Sequence, residues 1–427
     1  MIKIMIKAPT FKGKASKRLH IMAKPIGPIC NLNCSYCYYL SKQNLLEYNK
    51  GKSPRMNEHA LESYIRQYIH AQNTPEIVFS WQGGEPTMLG LDYFKKVVEL
   101  QEKYKPEGVV IYNDLQTNGT LLNDHWCTFL KSHNFLVGLS IDGPENMHNM
   151  YRRNKAGRGT FREVMNAVEL LHKHKVSFAT LTCINNITSR DPLTVYRFLR
   201  DEVRSTQLQF IPIVEKKDFH ITAPQTSSHQ EQLKQGDKRL IPGNKNSIVE
   251  SWCVSDEAWG NFLMEIFNEW IKNDLGKISV PYFDACVESW RGAPNPLCTL
   301  ADICGKGLAM EANGDVFSCD HYVYPEYKIS NIHTQKLEDF AYGLPQQKFG
   351  FNKSKTLTSQ CQQCDYLFAC YGECPKNRFI QTREGEPGLN YLCAGWKKFF
   401  AHADKGISFL LRATGNPVIN GKHQDIR

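Results

Sequence analysis

Fifteen cysteines, grouped rather than scattered, constrain this 427-residue chain more than any other feature. Three fall in one short loop, Cys30-Asn-Leu-Asn-Cys34-Ser-Tyr-Cys37. Eight more crowd the C-terminal third, at Cys298, Cys304, Cys319, Cys361, Cys364, Cys370, Cys374 and Cys393. The run Met1-Ile-Lys-Ile-Met-Ile-Lys7 breaks its apolar residues with lysines and lacks the continuous apolar core of a secretory signal. No later stretch approaches the roughly 18 uninterrupted apolar residues of a membrane span. A cytoplasmic protein without membrane association is expected. A reducing compartment disfavours disulfides and leaves metal binding or catalysis as the use of so many thiols.

From about Arg18 to Val214, β-rich runs alternate with stretches of helical period. The strands expected are Glu76–Trp81, Val109–Gln116, Phe135–Ile141, Val176–Cys183 and Gln207–Ile213, with amphipathic helices over Asn57–His70, Leu122–His133 and Phe161–His174. This alternation implies right-handed βαβ units and an α/β fold with a parallel sheet, open or partly closed rather than an eight-fold barrel. The segment 215–251 is rich in Lys, Gln, Ser, Asn and Pro and reads as a long loop or insertion. A helix follows in which Trp259, Phe262, Leu263, Ile266, Phe267, Trp270 and Ile271 share one face, as core packing does. After Pro281 the periodicity weakens as cysteines become dense, and bound metal is the expected source of stability.

The net charge of +9 is spread over scattered Lys and Arg residues mixed with 43 acidic ones, so the charge pattern supports no nucleic-acid partner. In the first cysteine loop, three thiolates can hold three irons of a [4Fe-4S] cube and leave the fourth open to a ligand. Structural zinc would ordinarily take four ligands, and neither a His nor a fourth Cys lies nearby in the sequence. The C-terminal thiols fall as Cys298-x5-Cys304-x14-Cys319 and Cys361-x2-Cys364-x5-Cys370-x3-Cys374-x18-Cys393. Eight thiols suffice for two fully ligated cubes or for two zinc sites, and spacing alone does not say which thiols share a site.

Cys-x3-Cys-x2-Cys with the aromatic Tyr36 before its last cysteine resembles the signature of the radical S-adenosylmethionine superfamily. Trp81-Gln82-Gly83-Gly84-Glu85-Pro86 resembles that family's glycine-rich motif. Paired glycines there would let the backbone approach the cofactor's methionine. The C-terminal spacing resembles the SPASM extension, and the whole pattern, from about Arg18 to Trp396, resembles the anaerobic sulfatase-maturating enzymes. The resemblance implies a partial (β/α)6 barrel over 18–251, a connecting helical region over 252–297, a loop-rich SPASM domain with two iron–sulfur clusters over 298–396, and a helix and tail over 397–427.

It also implies S-adenosylmethionine and three [4Fe-4S] clusters as cofactors. The cofactor would meet Tyr36, Gly83, Gly84, Glu85, Ser140, Arg152 and Ile213, and Cys30, Cys34 and Cys37 would ligate the radical cluster. Cys298, Cys304, Cys319 and Cys374 would hold the first auxiliary cluster, and Cys361, Cys364, Cys370 and Cys393 the second. Asp320, directly after Cys319, matches the proton-removing base, and Tyr39 and Gln82 are candidates for contacting substrate. Cys127, Cys183, Cys253 and Cys286 stand outside the motifs and read as small buried hydrophobes.

The expected activity is oxidation of a Cys or Ser side chain in a sulfatase to Cα-formylglycine by a 5′-deoxyadenosyl radical, with a donor such as flavodoxin or ferredoxin supplying electrons. Another SPASM peptide maturase, forming a thioether or crosslink, is the nearest alternative, although only about 17 residues precede the first strand where such enzymes usually carry a peptide-recognition domain. A zinc-binding adaptor without catalytic activity is the third.

Overall fold

The β-branched and aromatic runs form strands, and the amphipathic stretches between them form the helices that cover the sheet. The computed structural model describes residues 10–12, 14–15, 17–46, 54–224 and 233–418. The reading of Met1–Lys7, the middle of the polar segment and the end of the tail lie outside the described residues. Six neighbouring parallel strands follow chain order: β1 (His20–Lys24), β2 (Glu76–Trp81), β3 (Val110–Thr117), β4 (Phe135–Ser140), β5 (Phe178–Ile184) and β6 (Leu208–Pro212). The crossovers carry α1 (Glu58–His70), α2 (Leu91–Tyr104), α3 (Asp124–Ser132), α4 (Phe161–Lys173) and α5 (Pro192–Arg197). Asn57 and Asn123 cap α1 and α3 by accepting from the amides of Ala60 and Trp126, which starts each helix where the sequence places it.

The sheet does not stop at the expected boundary. β7 (Gly307–Glu311) pairs parallel with β1, setting Lys24 opposite Glu311. β8 (Asp315–Phe317) and β9 (Lys328–Asn331) then continue antiparallel, so nine strands form one sheet. Gly-Leu-Ala-Met-Glu lacks any β-branched residue, so local propensity gives no strand signal; the free edge of β1 makes it one. The seam brings the Cys319 loop beside the cysteine loop that follows β1.

Beyond the sheet, α6 (Asp256–Asn273) buries Trp259, Phe262, Leu263, Ile266, Phe267 and Trp270. Periodicity was expected to fade after Pro281, yet that proline opens a helix, α7 (Pro281–Trp290), as the favoured first-turn residue. Helix α8 (Leu344–Lys355) lies between the two groups of C-terminal cysteines in the sequence. The last long helix, α9 (Cys393–Ala413), begins at a candidate ligand, four residues before the expected 397. It crosses α6 at paired glycines. A Cβ on Gly395 would stand 2.0 Å from the Asp256 carbonyl oxygen, and one on Gly260 would stand 2.8 Å from the Gly395 Cα. Gly395→Ala is therefore expected to lever the start of α9 away from α6 at a cost of about 1–3 kcal/mol or more. A lowered melting temperature, measured on anaerobically purified protein, would report it.

The described parts of the polar segment are not detached. The amide of Gln381 donates to Leu233 O and that of Gln235 to Gln381 O, each at 2.9 Å, and Tyr391 donates to Leu240 O. Among the described residues no helix is long and apolar enough to cross a membrane.

Candidate functional site

The loop after β1 carries Cys30, Cys34 and Cys37, and the turn after β2 closes on it. The amides of Gln82, Gly84 and Glu85 donate to the carbonyls of Ala23, Gly27 and Ile29 at 2.8, 2.7 and 2.9 Å. A Cβ on Gly84 would lie 1.9 Å from Ile29 O, and Gly83 has φ +122° with Gly27 O 3.0 Å from where its Cβ would be. The Gly84 amide and the bare Cα atoms of both glycines thus serve the approach of the cysteine loop.

The Glu85 side chain is likewise engaged within the protein. It accepts from Thr87 N and Oγ1, from Thr117 Oγ1 at 2.7 Å and from Asn118 N at 2.7 Å. Burial still pushes its carboxyl up despite these donors. Asn118 in turn donates to Cys30 Sγ at 3.8 Å and Asn31 Oδ1 at 2.9 Å, so Glu85 braces the loop from the end of β3.

On the other side of the loop stands Asp142, buried just beyond β4. It pairs with Arg152 (Nε to Oδ2 2.9 Å), accepts from the Cys183 amide at 2.9 Å and takes the Tyr36 hydroxyl. Arg152, a residue type usually solvated on a surface, is 7% exposed, and its guanidinium reaches Cys183 Sγ at 3.6 Å. Cys183 is therefore a partner in this network rather than an inert hydrophobe. Ser140 ends β4 and accepts from Gln116 at 3.0 Å. Ile213 follows β6, its amide bonded to Ile184 O at 2.9 Å.

Asp320 lies next to Cys319 and opposite the cysteine loop. Its carboxylate forms an ion pair with Lys24 and accepts the Tyr38 hydroxyl. Burial raises its pKa, but its polar neighbours, the Lys24 ammonium first, outweigh that and hold the carboxyl below its usual range. His321 is pushed down to about 4, first by burial and then by Lys376, so its ring is neutral. Its Nδ1 lies 3.8 Å from Cys374 Sγ. Lys24 sits 3.9 Å over the Tyr39 ring, whose hydroxyl donates to Glu311 at 2.7 and 2.8 Å. Tyr39 thus has its hydroxyl turned to Glu311 and its ring under Lys24, while Gln82 is half-buried in the turn.

The eight C-terminal thiols fall into two groups. Cys319 is pushed well up by burial and by the neighbouring thiols of Cys374 and Cys298, and Cys304 by burial and, among its neighbours, by Cys298. Cys361, Cys364, Cys370 and Cys393 line one pocket together with Gln360 and Lys397. Burial raises Cys393 to about 12, with Cys361 and Cys364 adding to it. Cys30 is raised to about 11, also mainly by burial. A bound metal would hold these thiols as thiolates. Among the described residues no three His, Cys, Asp or Glu side chains converge as they do around one metal ion.

Lys24, Tyr38, Asp142, Asn118 and Glu311 were missed in the sequence. Only Asp142 had a signal, its place in Asp142-Gly-Pro144 at the end of a strand.

Comparison with known proteins agrees with this geometry. The radical SAM superfamily model matches residues 25–199, and an iron–sulfur cluster-binding domain model, SPASM, matches 302–365. A serine-type anaerobic sulfatase-maturating enzyme of Bacteroides thetaiotaomicron is 44% identical over 411 residues, covering 96% of this chain and 95% of that one. A cysteine-type anaerobic sulfatase-maturating enzyme of Clostridium perfringens is 31% identical over 394 residues, 90% of this chain and 96% of that one. The solved structure of native anSMEcpe with bound AdoMet and Cp18Cys peptide superposes with a TM-score of 0.77 at 29% identity, covering 93% of this chain and 99% of that one. With its cysteine loop, its C-terminal thiol groups and near-complete coverage by these relatives, the chain belongs to the anaerobic sulfatase-maturating enzymes of the radical SAM superfamily.

Proposed function

We propose that the protein oxidises a Cys or Ser side chain of a sulfatase polypeptide to Cα-formylglycine. The observation that carries this is Asp320: a buried carboxylate kept ionised by Lys24 and Tyr38, beside the candidate radical-cluster loop and adjacent to a candidate auxiliary-cluster cysteine. Relatives of both serine and cysteine type support the substrate class. Cys30, Cys34 and Cys37 would hold the radical cluster, and the two C-terminal groups would hold one auxiliary [4Fe-4S] cluster each, for about 12 irons in all. When bound, S-adenosylmethionine on its cluster supplies a 5′-deoxyadenosyl radical that takes hydrogen from the substrate Cβ, and the auxiliary clusters offer an acceptor for the remaining electron.

The chain's own residues do the rest. Gly83, Gly84 and Glu85 fix the cysteine loop. Tyr36, Ser140, Arg152 and Ile213 bound the space for the cofactor, and Asp142 orients Arg152 and Tyr36. Asp320 takes the hydroxyl or thiol proton. Lys24 aims its carboxylate, with Tyr39 and Glu311 securing Lys24 in place. A flavodoxin- or ferredoxin-type donor would supply the electron for cofactor cleavage.

The test is anaerobic incubation with S-adenosylmethionine, reductant and short peptides carrying a Ser or Cys sulfatase motif. The expected result is loss of two hydrogens from the Ser peptide, about 2 Da, or the aldehyde from the Cys peptide, in step with 5′-deoxyadenosine. Cofactor cleavage with a crosslinked or thioether peptide product would replace this reading with the maturase alternative.

A further inference from the structure

Helix α8 has a polar inner face where a packing helix would present an apolar one. Gln346, Gly350 and Lys353, at i, i+4 and i+7, share that face. Gln346 Nε2 donates to Gly305 O at 2.7 Å and to Ser318 O at 2.9 Å. A Cβ on Gly350 would lie 2.4 Å from Cys304 O. Lys353 Nζ donates to Cys298 O at 2.6 Å and to Thr299 O at 2.8 Å. One helix face thus holds the backbone at three of the four cysteines grouped as the first auxiliary site.

A brace of this kind needs donors, not a charge, and burying a charge is costly unless something of opposite sign offsets it. Lys353 is 1% exposed and, among the described residues, donates only to carbonyls. The other buried cation beside it is Arg378, whose guanidinium donates to Lys353 O at 2.6 Å and to the carbonyls of Tyr371, Gly372 and Glu373. The carboxylate beside Lys353 is Glu373, whose side chain accepts from Asn377 and Asn390 rather than from either cation. Two cations against one carboxylate leave positive charge directed at Cys298, Cys304 and Cys374. A four-thiolate [4Fe-4S] cluster is the group that offsets it, because the cluster's negative charge grows by one on reduction.

We propose that Lys353, seated on this face with Gln346 and Gly350, is a positioning residue for electron transfer, its buried ammonium raising the reduction potential of the cluster held by Cys298, Cys304, Cys319 and Cys374. The proposal rests on the reading of that site as a cluster. The balance is complete: a Ser side chain loses one hydrogen atom from Cβ to the 5′-deoxyadenosyl radical, one proton to Asp320 and one electron to the cluster, and becomes the aldehyde. A higher potential at that cluster draws the last electron forward.

The experiment is an EPR-monitored redox titration of anaerobically reconstituted full-length enzyme as parent, Lys353→Met and Lys353→Arg. The methionine variant, similar in length and uncharged, is expected to keep its iron and move one auxiliary component downward by about 59 mV or more, a tenfold change in the ratio of reduced to oxidised cluster. Its yield of aldehyde per 5′-deoxyadenosine should fall, while Lys353→Arg stays near the parent on both readouts. Full iron with unmoved potentials would overturn the proposal and leave Lys353 a loop brace. Should the methionine variant lose iron, Lys353→Gln, which keeps a donor, is titrated in its place: a lowered potential supports the proposal and an unmoved one overturns it. Iron lost from both neutral variants but kept by Lys353→Arg supports a need for the charge, and iron lost from all three overturns it. No iron–sulfur signal in the parent would instead remove the cluster reading itself.

Discussion

Asp320→Asn is expected to leave S-adenosylmethionine cleavage and iron content intact while aldehyde formation falls by at least about a hundredfold. Once hydrogen has left Cβ, loss of the adjacent O–H or S–H proton makes the carbon radical strongly reducing, and only then does its electron leave readily. The proton must be taken by a group that is ionised before substrate arrives and lies within hydrogen-bond reach, about 3 Å. Asp320 meets the first condition because the Lys24 ammonium and the Tyr38 hydroxyl offset its burial. Asparagine has nearly the same shape but cannot accept the proton. Its neutral amide also leaves the Lys24 ammonium, whose side chain is 2% exposed, without its counter-charge. The variant must therefore be compared with the parent at equal iron content and equal solubility. The measurement is aldehyde formed per 5′-deoxyadenosine released; an unchanged ratio would take Asp320 out of the mechanism, whatever the absolute rates.

The parts of this site that were legible in the sequence are those whose chemistry is local. Cys30, Cys34 and Cys37 stand within one loop, and Cys361, Cys364 and Cys370 within another, so their grouping is visible without the fold. The parallel sheet was legible because β-branched and aromatic runs alternate with helical periods, and the observed ends of the expected strands depart from expectation by no more than two residues. What was not legible is what the fold assembles across long separations. Tyr38 and Asp320 stand 282 positions apart, Tyr39 and Glu311 272 apart. Both contacts depend on β7 joining β1, a pairing to which Gly-Leu-Ala-Met-Glu contributes no propensity. Lys24 reads in sequence as a solvated lysine, and nothing before the structure says that it ends a buried strand against a carboxylate. The polar face of α8 was equally silent, since helices are found by their apolar stripe and Gln346, Gly350 and Lys353 do not form one. Arg152 was named, but the reason for its burial, Asp142, is ten positions upstream across a short helix, Glu145–Tyr151.

The paired glycines carry the second large effect, and their role divides the site cleanly in two. Gly84→Ala puts a methyl group 1.9 Å from Ile29 O, 2.4 Å from Ile29 C and 2.9 Å from Ile29 N, all of them backbone atoms with no rotamer to turn aside. Either the turn after β2 or the chain leading into Cys30 must move. Moving the turn breaks the amide bonds from Gly84 to Gly27 O and from Glu85 to Ile29 O. It also pulls Glu85 away from Thr117 and Asn118, through which Cys30 is braced. Moving the chain instead displaces Cys30 directly. On either route the three-thiol loop shifts by about 1 Å, and a displacement of that size at a reacting centre costs about a hundredfold in rate. The expected result is loss of 5′-deoxyadenosine formation by about that factor, with iron reduced by at most the share of one cluster in three. The C-terminal thiol groups lie outside this turn's hydrogen-bond network, so their EPR signals should persist in the variant. If cofactor cleavage survives Gly84→Ala within a few-fold of the parent, then the close approach of the two loops is not what holds the radical cluster, and the glycines would have to act through the cofactor alone.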